Sequence, residues 1–259
     1  MKKKTPHFFL KKETKNEKQN NIETAKLRKI YQINKKNFFL NFVKLKWIDC
    51  FYYLVFKINT LDIPFRRRNG GVETNFLENF RIKQIINFFK KEDIQIIYEF
   101  GSGDSTILFA RLLEQQFFKK RIKGKIFSFE DQLGYLKVLK KRIPPNLKKY
   151  IFLKKVNLKV FNFKNITFVK YLIKNYHKNI DLVYFDGPSP QYYYKLGKKV
   201  KKFSNINGNY LDMIKEKNFR VGFTDKRLNH FFPYKKNSGK SYDVSFSFKY
   251  KSIIINKTI

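Results

Sequence analysis

The chain contains one cysteine in 259 residues, Cys50, so it can form neither an intrachain disulfide nor a cysteine metal cluster. Its three histidines, His7, His177 and His230, lack the spacing of metal ligands. Acids are scarce: 20 Asp and Glu stand against 57 Lys and Arg, a net charge of +37. Alanine occurs only at positions 25 and 110, while Lys, Asn, Ile, Phe and Tyr abound. All five are encoded by A/T-rich codons, so the basic excess reflects a genome of low G+C content as much as a polyanionic partner. A field this positive still promotes non-specific binding to nucleic acid or anionic lipid at low salt. Long apolar runs are missing too. The uncharged stretch Cys50 to Phe56 falls far short of the roughly 20 residues that span a bilayer. Met1-Lys2-Lys3-Lys4 is basic enough to begin a leader, but Phe8-Phe9-Leu10 is too short an apolar region and Lys11-Lys12 ends it. These absences point to a cytoplasmic protein without a transmembrane span.

Hydrophobic residues make up 42% of the chain, enough for the core of one α/β domain with an extension. Residues 1–37 read as a basic, mobile tail rich in Lys and Asn. Residues 38–74 form an aromatic and basic extension, with Phe38, Phe42, Trp47, Phe51 and Tyr52 interrupted by Lys44, Lys46 and Lys57. A helix packed on the domain is one reading of it, and a helix lying on a membrane surface is the other. Arg66-Arg67-Arg68-Asn69-Gly70-Gly71 then reads as a solvated loop or as a lid carrying guanidinium groups toward an anionic substrate. Residues 75–259 carry the remaining patterns.

The most informative of these is Ile97-Tyr98-Glu99-Phe100-Gly101-Ser102-Gly103-Asp104-Ser105-Thr106. An apolar strand from Ile94 to Phe100 ends in a small-residue loop, and a helix from Ser105 to Phe118 follows. Glycine lets such a loop turn sharply, and the helix N-terminus aims its free N–H groups back at it. A carboxylate at Glu99 repels phosphates and suits a cationic group instead. The second strand, Lys125 to Glu130, ends in an acid that can take the hydroxyls of a ribose. A buried-type strand within Ile180 to Pro188 stops at Asp186-Gly187-Pro188, and another, Phe219 to Asp225, also stops at an acid. Acids at the carboxyl ends of parallel strands face one crevice.

These motifs resemble those of class I S-adenosylmethionine-dependent methyltransferases of the Gly-Ser-Gly-x-Ser-Thr kind. The resemblance implies a Rossmann-like, doubly wound, mostly parallel sheet closed by a C-terminal antiparallel strand pair. It implies S-adenosylmethionine as cofactor. Glu99, Gly101, Ser102, Gly103 and Ser105 would line its methionine part, Glu130 would take the ribose, and Asp186 would sit beside the transferred methyl. The Asn-Pro-Pro-Tyr and Asp-Pro-Pro-Tyr signatures of nucleic-acid base methylases are absent, and Asp186-Gly187-Pro188-Ser189 stands in that place. The expected activity is therefore O-methylation of a small molecule or glycan, an anionic one if Arg66–Arg68 act on it. Asp186 and then Asp225 are the candidate general bases, with His230 a weaker third. The two aspartates could also hold Mg²⁺. Tyr192, Tyr193 and Tyr194 could stack on an acceptor ring or simply pack. An RNA methyltransferase and a non-catalytic binding module that keeps the fold are the alternatives.

For the remaining elements, patterning predicts a helix from Leu133 to Arg142, a strand from Tyr150 to Val156 and a short helix from Phe168 to Tyr176. It predicts a further helix from Gly208 to Lys217. Alternation from Ser241 to Tyr250 and the β-branched run Ser252 to Lys257 supply the closing strand pair.

Overall fold

The computed structural model describes residues 84–188, 206–224, 228–247 and 252–258. The tail, the extension, the three arginines and Tyr192–Tyr194 therefore lie outside the described residues, as does Asp225.

A helix over 84–91 (α1) leads into β1, Ile96–Phe100, and the glycine loop then enters α2, Asp104–Lys120. Asp104 in the first turn of α2 and Lys119 and Lys120 in its last turn complement the helix dipole. Arg121, left-handed at φ 60°, ends it by returning its N–H to the Phe117 carbonyl. Next come β2, Lys125–Glu130, α3, Leu133–Arg142, and β3, Ile151–Lys155. Pro144 and Pro145 stop α3, and a short 3-10 turn, Pro145–Tyr150, delivers the chain to β3.

The segment after β3 departs from the sequence reading. Phe168 to Tyr176 was expected to be helical, and the structure instead forms a hairpin of β4, Leu158–Phe163, and β5, Ile166–Tyr171. Lys164 and Asn165 both have positive φ, 48° and 62°, as a two-residue hairpin turn of the primed type requires. Burial of Ile166, Phe168, Val169 and Tyr171 then outweighs the helical spacing of Phe168, Tyr171 and Leu172. The chain continues through β6, Ile180–Phe185, β7, Ile206–Asn207, α4, Asn209–Glu216, and β8, Phe219–Thr224. It ends with α5, Phe231–Asn237, β9, Tyr242–Ser247, and β10, Ser252–Lys257.

The main sheet runs β3-β2-β1-β6-β8-β10-β9. Its first five strands are parallel, and β10 is antiparallel to both β8 and β9. This is the doubly wound sheet with an antiparallel closing pair that the motifs implied. A small second sheet, β4-β5-β7, joins the hairpin to β7. Helices α1, α2 and α3 supply residues such as Phe89, Leu113 and Leu139 to the core on one face. On the other face α4, α5 and the second sheet bring Met213, Tyr234 and Phe168 against β6, β8 and β10.

Polar clasps fix the parallel strands at their starts. Asp181 Oδ2 accepts the N–H groups of Gln95 and Ile96 at 2.7 and 2.9 Å, tying the entry of β6 to that of β1. Buried Gln116 of α2 accepts from Ile94 N at 2.9 Å and donates to Ile94 O at 2.6 Å. Among the described residues no helix is long and apolar enough to cross a membrane.

Candidate active site

Strand order reverses between β1 and β6, since β2 and β3 lie on one side of β1 while β6 and β8 lie on the other. The carboxyl ends of β1 and β6 therefore open onto the switch-point crevice. Gly101 follows β1 and Gly187 follows β6, and the two meet backbone to backbone. A Cβ on Gly101 would come within 2.6 Å of Gly187 N, and Gly101 holds φ +98°. Gly187 N and Asp186 N both donate to the Phe100 carbonyl, the latter at 3.0 Å. Gly101 is thus required by the packing of two strand ends. At Gly103 an added Cβ would meet only Ser105 Oγ, at 4.0 Å, so the loop is open on that side.

Two acids lie beneath and beside this loop. Glu99 is fully buried. Its carboxylate accepts from the hydroxyls of Ser105, Thr106 and Ser128, the last at 2.6 Å. Burial pushes its carboxyl up to about 7, the three hydroxyls pull it back, and Asp186 adds to the rise. Glu99 therefore stands one layer behind the loop and shapes it through Ser105 and Thr106. The direct contact with a cationic group that its position in the sequence suggested is replaced by hydroxyl donors of the chain itself. Thr106 Oγ1 also accepts from Gly103 N at 3.1 Å, which fixes the start of α2.

Glu130 ends β2 and is nearly buried. One of its oxygens accepts from Ser102 N at 3.1 Å and the other from Gln132 N at 2.9 Å. Burial pushes this carboxyl up to about 8; the two amides oppose that rise and Asp131 adds to it. Ser102 links the two acids. Its amide serves Glu130, and its hydroxyl lies 2.7 Å from Ser128 Oγ, whose own proton goes to Glu99. Ser128 escaped the sequence reading, although strand alternation places it on the same face of β2 as Glu130 and the register sets it opposite Glu99.

Asp186 is half-buried beside Gly187, at the mouth of the crevice. The turn it begins is held from behind. Asn207 Nδ2 donates to Gly187 O at 2.9 Å, and Asn207 N donates to His230 Nε2 at 2.9 Å. Tyr234 Oη donates to Asn207 O at 3.0 Å. His230 is fully buried, and its Nε2 lone pair is occupied by that amide. This geometry moves His230 from the candidate bases to the scaffold, because a base needs a free lone pair within reach of the acceptor. Asn207 was missed because a single Asn beside a two-residue strand gives no signal in sequence. Among the described residues no group of three His, Cys, Asp or Glu could hold a metal ion, so the Mg²⁺ expectation gains no support.

The residues present suit a nucleoside cofactor with an amino-acid arm. Gly103 leaves open space at the N-terminus of the 17-residue helix α2. A carboxylate offers about four lone-pair sites, and Glu130 uses one per oxygen on backbone amides and one more toward Asp131, which leaves room for a ribose hydroxyl.

No family model matches the chain, and no curated protein matches it. Several solved structures resemble it. A methyltransferase from Geobacter sulfurreducens shares 9% identity over 69% of this chain and 79% of its own, with a TM-score of 0.42. The N-terminal domain of human METTL16, in complex with SAH, shares 13% over 84% of each chain, with a TM-score of 0.41. A SAM-dependent methyltransferase from Aquifex aeolicus shares 13% over 78% of this chain and 96% of its own, with a TM-score of 0.38. The fold itself, a doubly wound, mostly parallel sheet closed by an antiparallel pair, rests on the strand order and pairing described above.

Proposed function

We propose that the chain is an S-adenosylmethionine-dependent methyltransferase. The observation that carries this reading is the pairing of Glu130 with Ser102, which fixes an acid at the end of β2 against the glycine loop after β1. When bound there, S-adenosylmethionine supplies an electrophilic methyl group on a sulfonium centre. The chain's own contribution is positional. Glu130 accepts the ribose hydroxyls. Gly101, Ser102, Gly103 and Ser105 shape the loop for the methionine arm, with Glu99 holding Ser105 and Thr106 from below. Asp186 stands at the crevice mouth, where it can accept the proton that the acceptor releases as its bond to the methyl forms. Asp225 remains the second candidate for that step and lies outside the described residues.

The small-molecule or glycan acceptor has its contact candidates at Arg66–Arg68 and Tyr192–Tyr194, also outside the described residues. Nothing among the described residues selects oxygen as the accepting atom. The RNA reading has one observation in its favour: exposed aromatic rings among lysines, joined to a net charge of +37.

Calorimetric titration with S-adenosylhomocysteine tests the cofactor site. One-to-one binding is expected, and Glu130→Ala should weaken it by about 1–3 kcal/mol. An unchanged affinity in the folded variant would remove Glu130 from the ribose. No binding by the folded wild-type chain would sink the methyltransferase reading.

A further inference from the structure

Among the described residues no helix covers the face of the sheet opposite α2 and α3 at the β2–β3 edge. Phe127 of β2 and Phe152 of β3 are register partners on that face, with ring centroids 5.5 Å apart. His177, from the loop before β6, lies with its ring 4.7 Å from that of Phe127. The backbone N–H of His177 donates to Tyr98 Oη at 3.2 Å, which pins the loop over β1. Phe152 is 50% exposed and joins neither core, and His177 is exposed as well.

Three lysines stand around these rings, and the acids within electrostatic reach, Asp212 and Glu216, act on Tyr98 and Tyr176 behind them. By strand alternation Lys125 lies on the same face two residues before Phe127, and Lys154 lies there two residues after Phe152. Lys178 adjoins His177. All three lysines are exposed, and none forms an ion pair with a described residue. An acidic protein would meet the charges but leave the ring faces bare. A bilayer would need a broad apolar face, whereas this small ring cluster exposes Phe152 and His177 among lysines.

We infer that this edge of the sheet is a stacking platform for single-stranded RNA, with bases laid on Phe152 and His177 and phosphates drawn to Lys125, Lys154 and Lys178. The inference rests on the methyltransferase reading for its meaning, since it makes RNA the acceptor class and sets a second grip on the strand apart from the crevice. Base-on-ring stacking tolerates any sequence, because every base has a π face.

The test is fluorescence anisotropy of the full chain with a labelled oligouridylate of about 12 nucleotides, beside an RNA duplex of equal length. Phe152→Ala should weaken oligouridylate binding by about five- to a hundredfold and leave duplex binding unchanged. Phe152→Leu, which keeps an apolar side chain without a π face, should behave like the alanine variant, and Phe152→Trp should restore the affinity. Lys154→Gln should lower the salt slope by about one. Unchanged oligouridylate affinity in Phe152→Ala and Phe152→Leu would overturn the platform and leave the face to another occupant, such as the chain's own residues 38–56. An equal loss on the duplex would overturn it too. Calorimetry with S-adenosylhomocysteine on the same variants separates the two readings. Cofactor binding without the Phe152 effect fails the platform alone, and the Phe152 effect without cofactor binding fails the methyltransferase reading alone.

Discussion

Gly101 and Gly187 show how narrow the tolerance is where two strand ends meet. A Cβ on Gly187 would lie 1.9 Å from Tyr171 Oη and 2.9 Å from Gly101 Cα, and only one of those neighbours is a side chain. Gly187→Ala should therefore destabilise the chain by about 3 kcal/mol, read from the midpoint of urea unfolding. Gly134, in α3, has nothing within 4 Å of its added Cβ, so Gly134→Ala should gain about 0.5 kcal/mol in the same assay. The two buried acids make a different kind of prediction. Both bind a proton more tightly in the folded chain than their ordinary value of 4.5 allows, Glu99 at about 7 and Glu130 at about 8. Their contribution is complete below the ordinary value and is lost as pH rises through those two values. Melting temperature should fall as pH rises over that interval, and Glu130→Gln should flatten the upper part of the decline. A melting temperature that rises over the interval would contradict the burial of both carboxyls.

At the scale of elements, one side chain of α2 makes the buried polar link to the chain entering β1. Gln116 satisfies both polar groups of Ile94 in the core, so Gln116→Ala leaves a buried amide and carbonyl unpaired. A loss of about 1–3 kcal/mol is expected, with hydrogen exchange at Ile94 rising first. The same element shows what a sequence carries. Strands β2 and β10 and helix α3 were legible to the residue, because apolar periodicity, Pro144 and a terminal acid all agree there. The hairpin β4–β5 was not. Its buried positions fit helical and extended spacing alike, and the deciding event, positive φ at both Lys164 and Asn165, shows in sequence only as one asparagine. The site divides in the same way. Glu99, Gly101 and Glu130 stand out because a strand, a loop and an acid recur in order. Ser128, Asn207 and the scaffold role of His230 depend on which strands lie side by side, and local pattern does not encode that.

For the whole molecule, chain order and spatial order differ. Residues before 189 supply β1, β2, β3 and β6 of the main sheet, and residues after 205 supply β8, β9 and β10. The two portions meet along the parallel seam of β6 with β8, where Ile180 faces Phe219 and Phe185 faces Thr224. They meet a second time where β7 pairs with β5 and Asn207 donates to Gly187. The chain is thus two pieces held by a double seam, and the peptide link across 189–205 is one connection among several. Fragments 1–188 and 206–259 expressed from separate messages should find each other and copurify, rebuilding the crevice by complementation. Breaking one seam with Val183→Asp should abolish that reunion, since Val183 is fully buried beside Gly222.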